Sequence, residues 1–252
     1  MKNEQRPRTI QDLHWQDNAT FVIGGESITL DYELGGSKRK SDASDFTMMK
    51  TRGFLDHYLQ HSEEDFTRIL EIGVYQGGSY VFLDQLFRPR KITAVELSQQ
   101  PIPALDDYVF RNRDRAQLRY GVSQDDATKL AGIIETDLGG EIDLVVDDAS
   151  HFYDQTKASF RVAFPKVRPG GLYIIEDWSW SFQAPFQTPD HPWREAHSLA
   201  NLVVDLMEEM ALQSLIDEIS VTPHMMKIRR SSAPAAPVFT STARRGRRYQ
   251  PI

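Results

Sequence analysis

The 252 residues contain no cysteine, which excludes disulfides, thiolate-held metals and a cysteine nucleophile. No apolar run approaches the roughly 20 residues that a spanning helix needs, so a soluble chain without membrane contact is expected. The opening MKNEQRPRTIQDL lacks the apolar stretch of a secretory signal, and the cytoplasm is the expected compartment. In the body acidic charge outweighs basic. From Arg229 onward the chain holds six arginines (Arg229, Arg230, Arg244, Arg245, Arg247, Arg248) and no acid, so a net −7 overall leaves the rest at about −13. So acidic a body is a poor partner for a phosphate backbone, and no nucleic-acid binding is expected of it.

What is present suits one large α/β domain: 40% hydrophobic and 26% charged residues over a length able to bury a sizeable core. Residues 1–60 read as a cover. A hairpin is expected around Gly24 and Gly25, followed by a loop and a helix over FTMMKTRGFLDHYLQH capped by Ser44 or Asp45. Residues 61–231 form the main domain. From Phe66, the apolar segments RILEIGV, KITAVEL, LRYGVS, IDLVVDD and GLYIIED alternate with helical ones, the pattern of a parallel sheet covered on both faces. EISVT and MMKIRRS flank Pro223 and His224 as an antiparallel pair that closes the sheet. Residues 232–252, rich in Ser, Ala, Pro and Arg, read as a flexible or oligomer-contacting tail, and a homo-oligomer is the expected assembly.

ILEIGVYQGGSY sets a strand before a glycine-bearing turn and a helix. Glycines permit close backbone approach, and the helix start offers N–H groups. The G-x-G-x-x-G of a dinucleotide site is missing, since Val74, Tyr75 and Gln76 separate Gly73 from Gly77, and this disfavours NAD. Glu71 precedes the turn. Glu96 ends the next strand about 20 residues past the glycines, where a carboxylate can hold ribose hydroxyls. Ser123 and Gln124 end the third strand with groups able to donate to and accept from an adenine edge.

VVDDASHFY crowds Asp147, Asp148 and His151 at the end of a buried strand, the end where open α/β sheets place ligands. Alternation sends the two aspartates to opposite faces, and the three-residue spacing to His151 favours Asp148, one helical turn away if a helix starts there. Glu176 and Asp177 end the following strand. Asp148, Glu176 and Asp177 together would repel unless a cation sat among them, and all-oxygen ligands favour Mg²⁺. The segment WSWSFQAPFQTPDHPWREAH then supplies Trp180, Phe182, Phe186 and Trp193, aromatics suited to a wall against a sugar or polyketide.

In this order, LEIGVYQGGSY, ITAVE, GVSQD, DLVVDDASH and IIEDW resemble the motifs of class I S-adenosylmethionine methyltransferases. The likeness is to the magnesium-dependent O-methyltransferases, both the catechol and the macrolide-sugar (mycinamicin-type) families, over residues 66–180. The resemblance implies a Rossmann-like α/β fold with a mostly parallel seven-stranded sheet, helices on both faces and an antiparallel C-terminal strand. It implies S-adenosyl-L-methionine and Mg²⁺ as cofactors. Gly73, Tyr75 and Ser79 would hold the methionine portion, Glu96 the ribose, and Ser123 with Gln124 the adenine. Asp148, Glu176 and Asp177 match the metal ligands, and His151 matches the base of the macrolide-sugar enzymes where the catechol enzymes have lysine. A glycoside acceptor, from an antibiotic or other polyketide, is the implied small-molecule partner. A non-catalytic scaffold of the same fold and a metal-dependent hydrolase or hydroxylase-like enzyme are the alternatives.

Overall fold

The computed structural model describes residues 6–33, 39–191 and 193–240. Two compact units divide the chain after Ser123.

The first unit opens with a four-stranded sheet in chain order: β1 (His14–Trp15), β2 (Thr20–Ile23), β3 (Glu26–Leu30) and β4 (Phe46–Met48). The expected hairpin is β2–β3. Ile23 pairs with Glu26, and the two glycines between them take φ of +58° and +90°, the left-handed geometry that a tight two-residue hairpin turn demands. The helix expected over residues 46–61 is shorter: α1 spans Arg52–Leu59, and Phe46–Met48 instead pair in parallel with Ile28–Leu30. All three residues of β4 are buried, so a strand held on both faces overrides the helical spacing. Asp45, one of the two expected caps, accepts from Ser27 Oγ at 2.7 Å and from Arg39 at 2.6 Å.

The same unit then repeats strand and helix: β5 (Arg68–Ile72), α2 (Gly78–Phe87), β6 (Lys91–Glu96), α3 (Pro103–Arg111) and β7 (Ala116–Tyr120). β5 pairs with β6 and β6 with β7, all parallel. Helix α2 starts hard against β4. A β-carbon on Gly78 would stand 2.4 Å from the Thr47 carbonyl oxygen, so only glycine fits.

The second unit holds α4 (Ala127–Leu138), β8 (Ile142–Asp147), α5 (Tyr153–Ala163), β9 (Val167–Glu176), α6 (Asn201–Leu212), β10 (Ile216–Val221) and β11 (Met225–Arg230). Asp126 caps α4 by accepting from Lys129 N at 3.0 Å, and Gly139 ends the helix at φ +76°. Strand order is β10–β11–β9–β8, with β8 and β9 parallel and the other pairs antiparallel. Every residue of β8 is buried, as expected of an apolar run covered on both faces. Strands β5 to β11 are thus seven, mostly parallel, with an antiparallel C-terminal pair, which is the Rossmann-like class expected. Beyond β11, Val238 is buried and Phe239 N donates to Glu209 Oε2 at 2.8 Å, while the arginines at 244–248 lie outside the described residues. Among the described residues no helix is long and apolar enough to cross a membrane.

Candidate active site

In the first unit the turn after β5 is built from left-handed residues: Gly73 and Gly77 at φ +85°, and Tyr75 at +50°. Gly73 N donates to Val95 O at 2.9 Å, which continues the strand pairing into the turn. The Glu96 carboxylate, at the end of β6, accepts from Val74 N at 3.1 Å and from Ser98 N at 2.8 Å. The structure therefore fixes Glu96 beside the glycine turn. Glu71 is fully buried in β5, Ser79 is buried in the first turn of α2, and Tyr75 is 40% exposed. Ser123, three residues past β7, is partly exposed.

Gln124 opens the second unit, and only 5% of it reaches solvent. Its Nε2 donates to Asp147 Oδ1 at 3.2 Å, and its Oε1 accepts from Ser150 N at 2.9 Å. Both ends of the amide that the sequence suggested for an adenine edge are engaged with the end of β8 and the loop after it.

The two aspartates there separate as alternation requires. Asp147 points into the core, where Ser159 Oγ donates to Oδ2 at 2.6 Å and Tyr173 OH at 2.8 Å. Burial pushes its carboxyl up to about 7, against the opposing pull of these hydrogen bonds. Asp148 is partly exposed. No helix begins at Asp148. The chain loops until Tyr153, and His151 stands in that loop at φ +56° with Nε2 4.0 Å from Asp148 Oδ1. Asp177 follows β9 at φ +55°, its N donating to His224 O at 2.8 Å. One ligand atom from each of Asp148, His151 and Asp177 lies within 4.8 Å of the others. Glu176, the third expected ligand, is fully buried in the last position of β9 and is not one of this trio.

Aromatic rings stand over His151. Trp180 lies 4.6 Å from it and stacks on Phe186 at 5.0 Å and 4°, with Trp193 packed on both. Phe182, expected in the same wall, is 65% exposed and meets Trp178 edge-on instead. The segment is latched at its start, where Trp178 Nε1 donates to Thr222 O and Ser179 Oγ to Pro223 O, each at 2.7 Å. His151, Asp177, Trp180, Trp193, His197 and Ser198 line a recess. Chemically, this is a proton acceptor beside two carboxylates, screened from water on one side by indole.

Residues 70–178 match the protein family described as a methyltransferase domain. Over 223 residues the chain is 26% identical to demethylmacrocin O-methyltransferase of Streptomyces fradiae, covering 81% of this chain and 53% of that protein. It is 26% identical over 221 residues to mycinamicin VI 2''-O-methyltransferase of Micromonospora griseorubida, again 81% and 53%. Among solved structures, the MycE methyltransferase of the mycinamycin biosynthetic pathway, in complex with Mg, SAH and mycinamycin VI, aligns at a TM-score of 0.55 and 25% identity. That alignment covers 71% of this chain and 49% of the other. The chain spans about half the length of the curated relatives it matches.

The sequence offers no signal for one feature of the second unit. Tyr153 OH and Lys157 Nζ both donate to Asp205, tying α5 to α6. Partners 48 and 52 residues apart leave no local pattern.

Proposed function

We propose that this chain is a metal-dependent O-methyltransferase that moves the methyl of S-adenosylmethionine to a sugar hydroxyl of a glycosylated natural product. The observation that carries the reading is the convergence of Asp148, His151 and Asp177 at the ends of β8 and β9. Relatives named as demethylmacrocin and mycinamicin VI O-methyltransferases support the acceptor class, and a solved relative holding Mg and SAH supports the two cofactors.

The residues suit these ligands. Glu71, Gly73, Tyr75, Ser79, Glu96 and Ser123 cluster in sequence around the ends of β5, β6 and β7, and the Glu96 carboxylate is already oriented by two backbone N–H groups. Asp148 and Asp177 offer hard oxygen ligands in a chain with no thiolate, a donor set for Mg²⁺, and Glu176, which precedes Asp177 in the chain, is the third carboxylate of the reading. A bound divalent cation lowers the pKa of a hydroxyl and fixes its position. His151 Nε2 accepts the hydroxyl proton as the oxygen forms its bond to the methyl carbon and the carbon–sulfur bond breaks, leaving S-adenosylhomocysteine. Asp148, 4.0 Å away, favours the imidazolium so formed. Trp180 and Trp193 exclude water and offer flat faces to the C–H side of a sugar ring.

The test is transfer of labelled methyl from S-adenosylmethionine to mycinamicin VI or demethylmacrocin, with Mg²⁺ and then with EDTA. Transfer that EDTA abolishes and Mg²⁺ restores is expected. Full activity in chelator would remove the metal from the reading, and failure to bind S-adenosylmethionine by calorimetry would remove the methyltransferase.

A further inference from the structure

We propose that Gln124 is a positioning residue for His151, acting on the loop that carries the base rather than on the adenine of S-adenosylmethionine. The inference rests on the reading of His151 as the base. Its starting point is the Gln124 amide, whose orientation is fixed by its partners: a carboxylate oxygen, Asp147 Oδ1, must receive an N–H, and a backbone N–H, that of Ser150, must find an oxygen. A flipped amide would set acceptor against acceptor and donor against donor.

The far end of the amide is anchored. Asp147 is held by Ser159 of α5 and Tyr173 of β9, both fully buried, so the Gln124 rotamer has little room to drift. The near end grips the residue before the base. Ser150 N donates to Gln124 Oε1, and Ser150 Oγ accepts from Phe152 N at 3.2 Å, so the backbone is restrained on both sides of His151. Restraint is needed there because φ of +56° is a sparsely populated conformation for a histidine, which persists only where its surroundings over-determine it. Without the Gln124 bond, the loop is free to relax and carry Nε2 away from Asp148 and Asp177. An adenine-binding role would instead need an amide edge open to a ligand, and Gln124 is only 5% exposed with both ends of its amide engaged.

The test compares Gln124→Met, which keeps the length but loses both hydrogen bonds, with the double variant Gln124→Glu/Asp147→Asn, which keeps the oxygen facing Ser150 N and reverses the second bond so that the amide at 147 donates. Three readouts are taken on the full chain: amide hydrogen exchange at Ser150, calorimetric binding of S-adenosylhomocysteine, and kcat against KM for methyl transfer to mycinamicin VI. Gln124→Met is expected to speed Ser150 exchange by about tenfold or more and to lower kcat by roughly 10- to 100-fold. S-adenosylhomocysteine affinity should stay within about twofold, because lost uniform binding and lost transition-state positioning separate in these parameters. The double variant should keep Ser150 protected. A large loss of S-adenosylhomocysteine affinity with kcat preserved would overturn the proposal in favour of adenine binding. So would a drop in thermal stability with Ser150 exchange and the rate per folded molecule unchanged. If the wild-type protein transfers no methyl group, the enzymatic reading fails by itself. The exchange contrast between the two variants and the binding arm then still decide whether Gln124 holds the loop.

Discussion

His151 has a carboxylate oxygen 4.0 Å from Nε2 and an indole 4.6 Å from its ring centre. If it takes the acceptor proton, His151→Ala should lower kcat by about 10²- to 10⁴-fold and leave S-adenosylmethionine affinity nearly intact, since the side chain acts on the acceptor and not on the sulfonium. Single-turnover kinetics beside calorimetry check both halves. Glu96 carries the opposite signature. It is held by Val74 N and Ser98 N, and if it grips the ribose, Glu96→Ala should weaken S-adenosylmethionine binding by ~1.5–3 kcal/mol with the folded fraction unchanged. Titration calorimetry at several temperatures measures it. Such residues were legible in the sequence because strand ends in an α/β pattern point to one edge, and the last residue of an apolar run is easy to find. Gln124 was legible only as a polar residue in the right place. Its partners lie 23 and 26 residues on, and nothing local says which face of the amide they claim.

At the scale of elements, α5 links the core to the site. Phe160 on its buried face stacks on Phe164 at 4.4 Å and packs on Tyr173 at 4.8 Å, one residue from Ser159, which holds Asp147. Phe160→Ala should cost about 3–5 kcal/mol in denaturant unfolding, the range for deleting a fully buried ring. The aromatic segment between β9 and α6 should respond otherwise. Trp180→Ala removes the ring packed on His151, Phe186 and Trp193, so if this segment walls the acceptor, KM for a glycoside should rise several-fold, beside a loss of ~0.5–1.5 kcal/mol in stability from the Phe186 stack. Steady-state kinetics on mycinamicin VI and a melting curve separate the two. The hairpin was readable from Gly24 and Gly25 because a two-residue turn with both φ positive nearly dictates its residues. Strand β4 was not. Phe46, Met48 and Met49 continue an apolar spacing into α1, and the pairing that makes Phe46–Met48 a strand comes from Ile28–Leu30, more than a dozen residues earlier in the chain.

For the whole molecule, binding and folding are linked, since a ligand that binds only the native state stabilises it by mass action. Mg²⁺ at about 100 times its dissociation constant should add ~2.7 kcal/mol to the stability of the wild-type chain and nothing to Asp148→Asn with Asp177→Asn, as read from unfolding curves with and without the salt. The left-handed backbone at Tyr75, His151 and Asp177 bears on the same balance. Each costs about 1–3 kcal/mol relative to a relaxed conformation, and glycine at such a position escapes most of that cost. His151→Gly should therefore melt above His151→Ala while being equally inactive. A library of this protein selected only for surviving heat should drift toward glycine or asparagine at 151 and 177, so the hardiest descendants would be the ones that had stopped working.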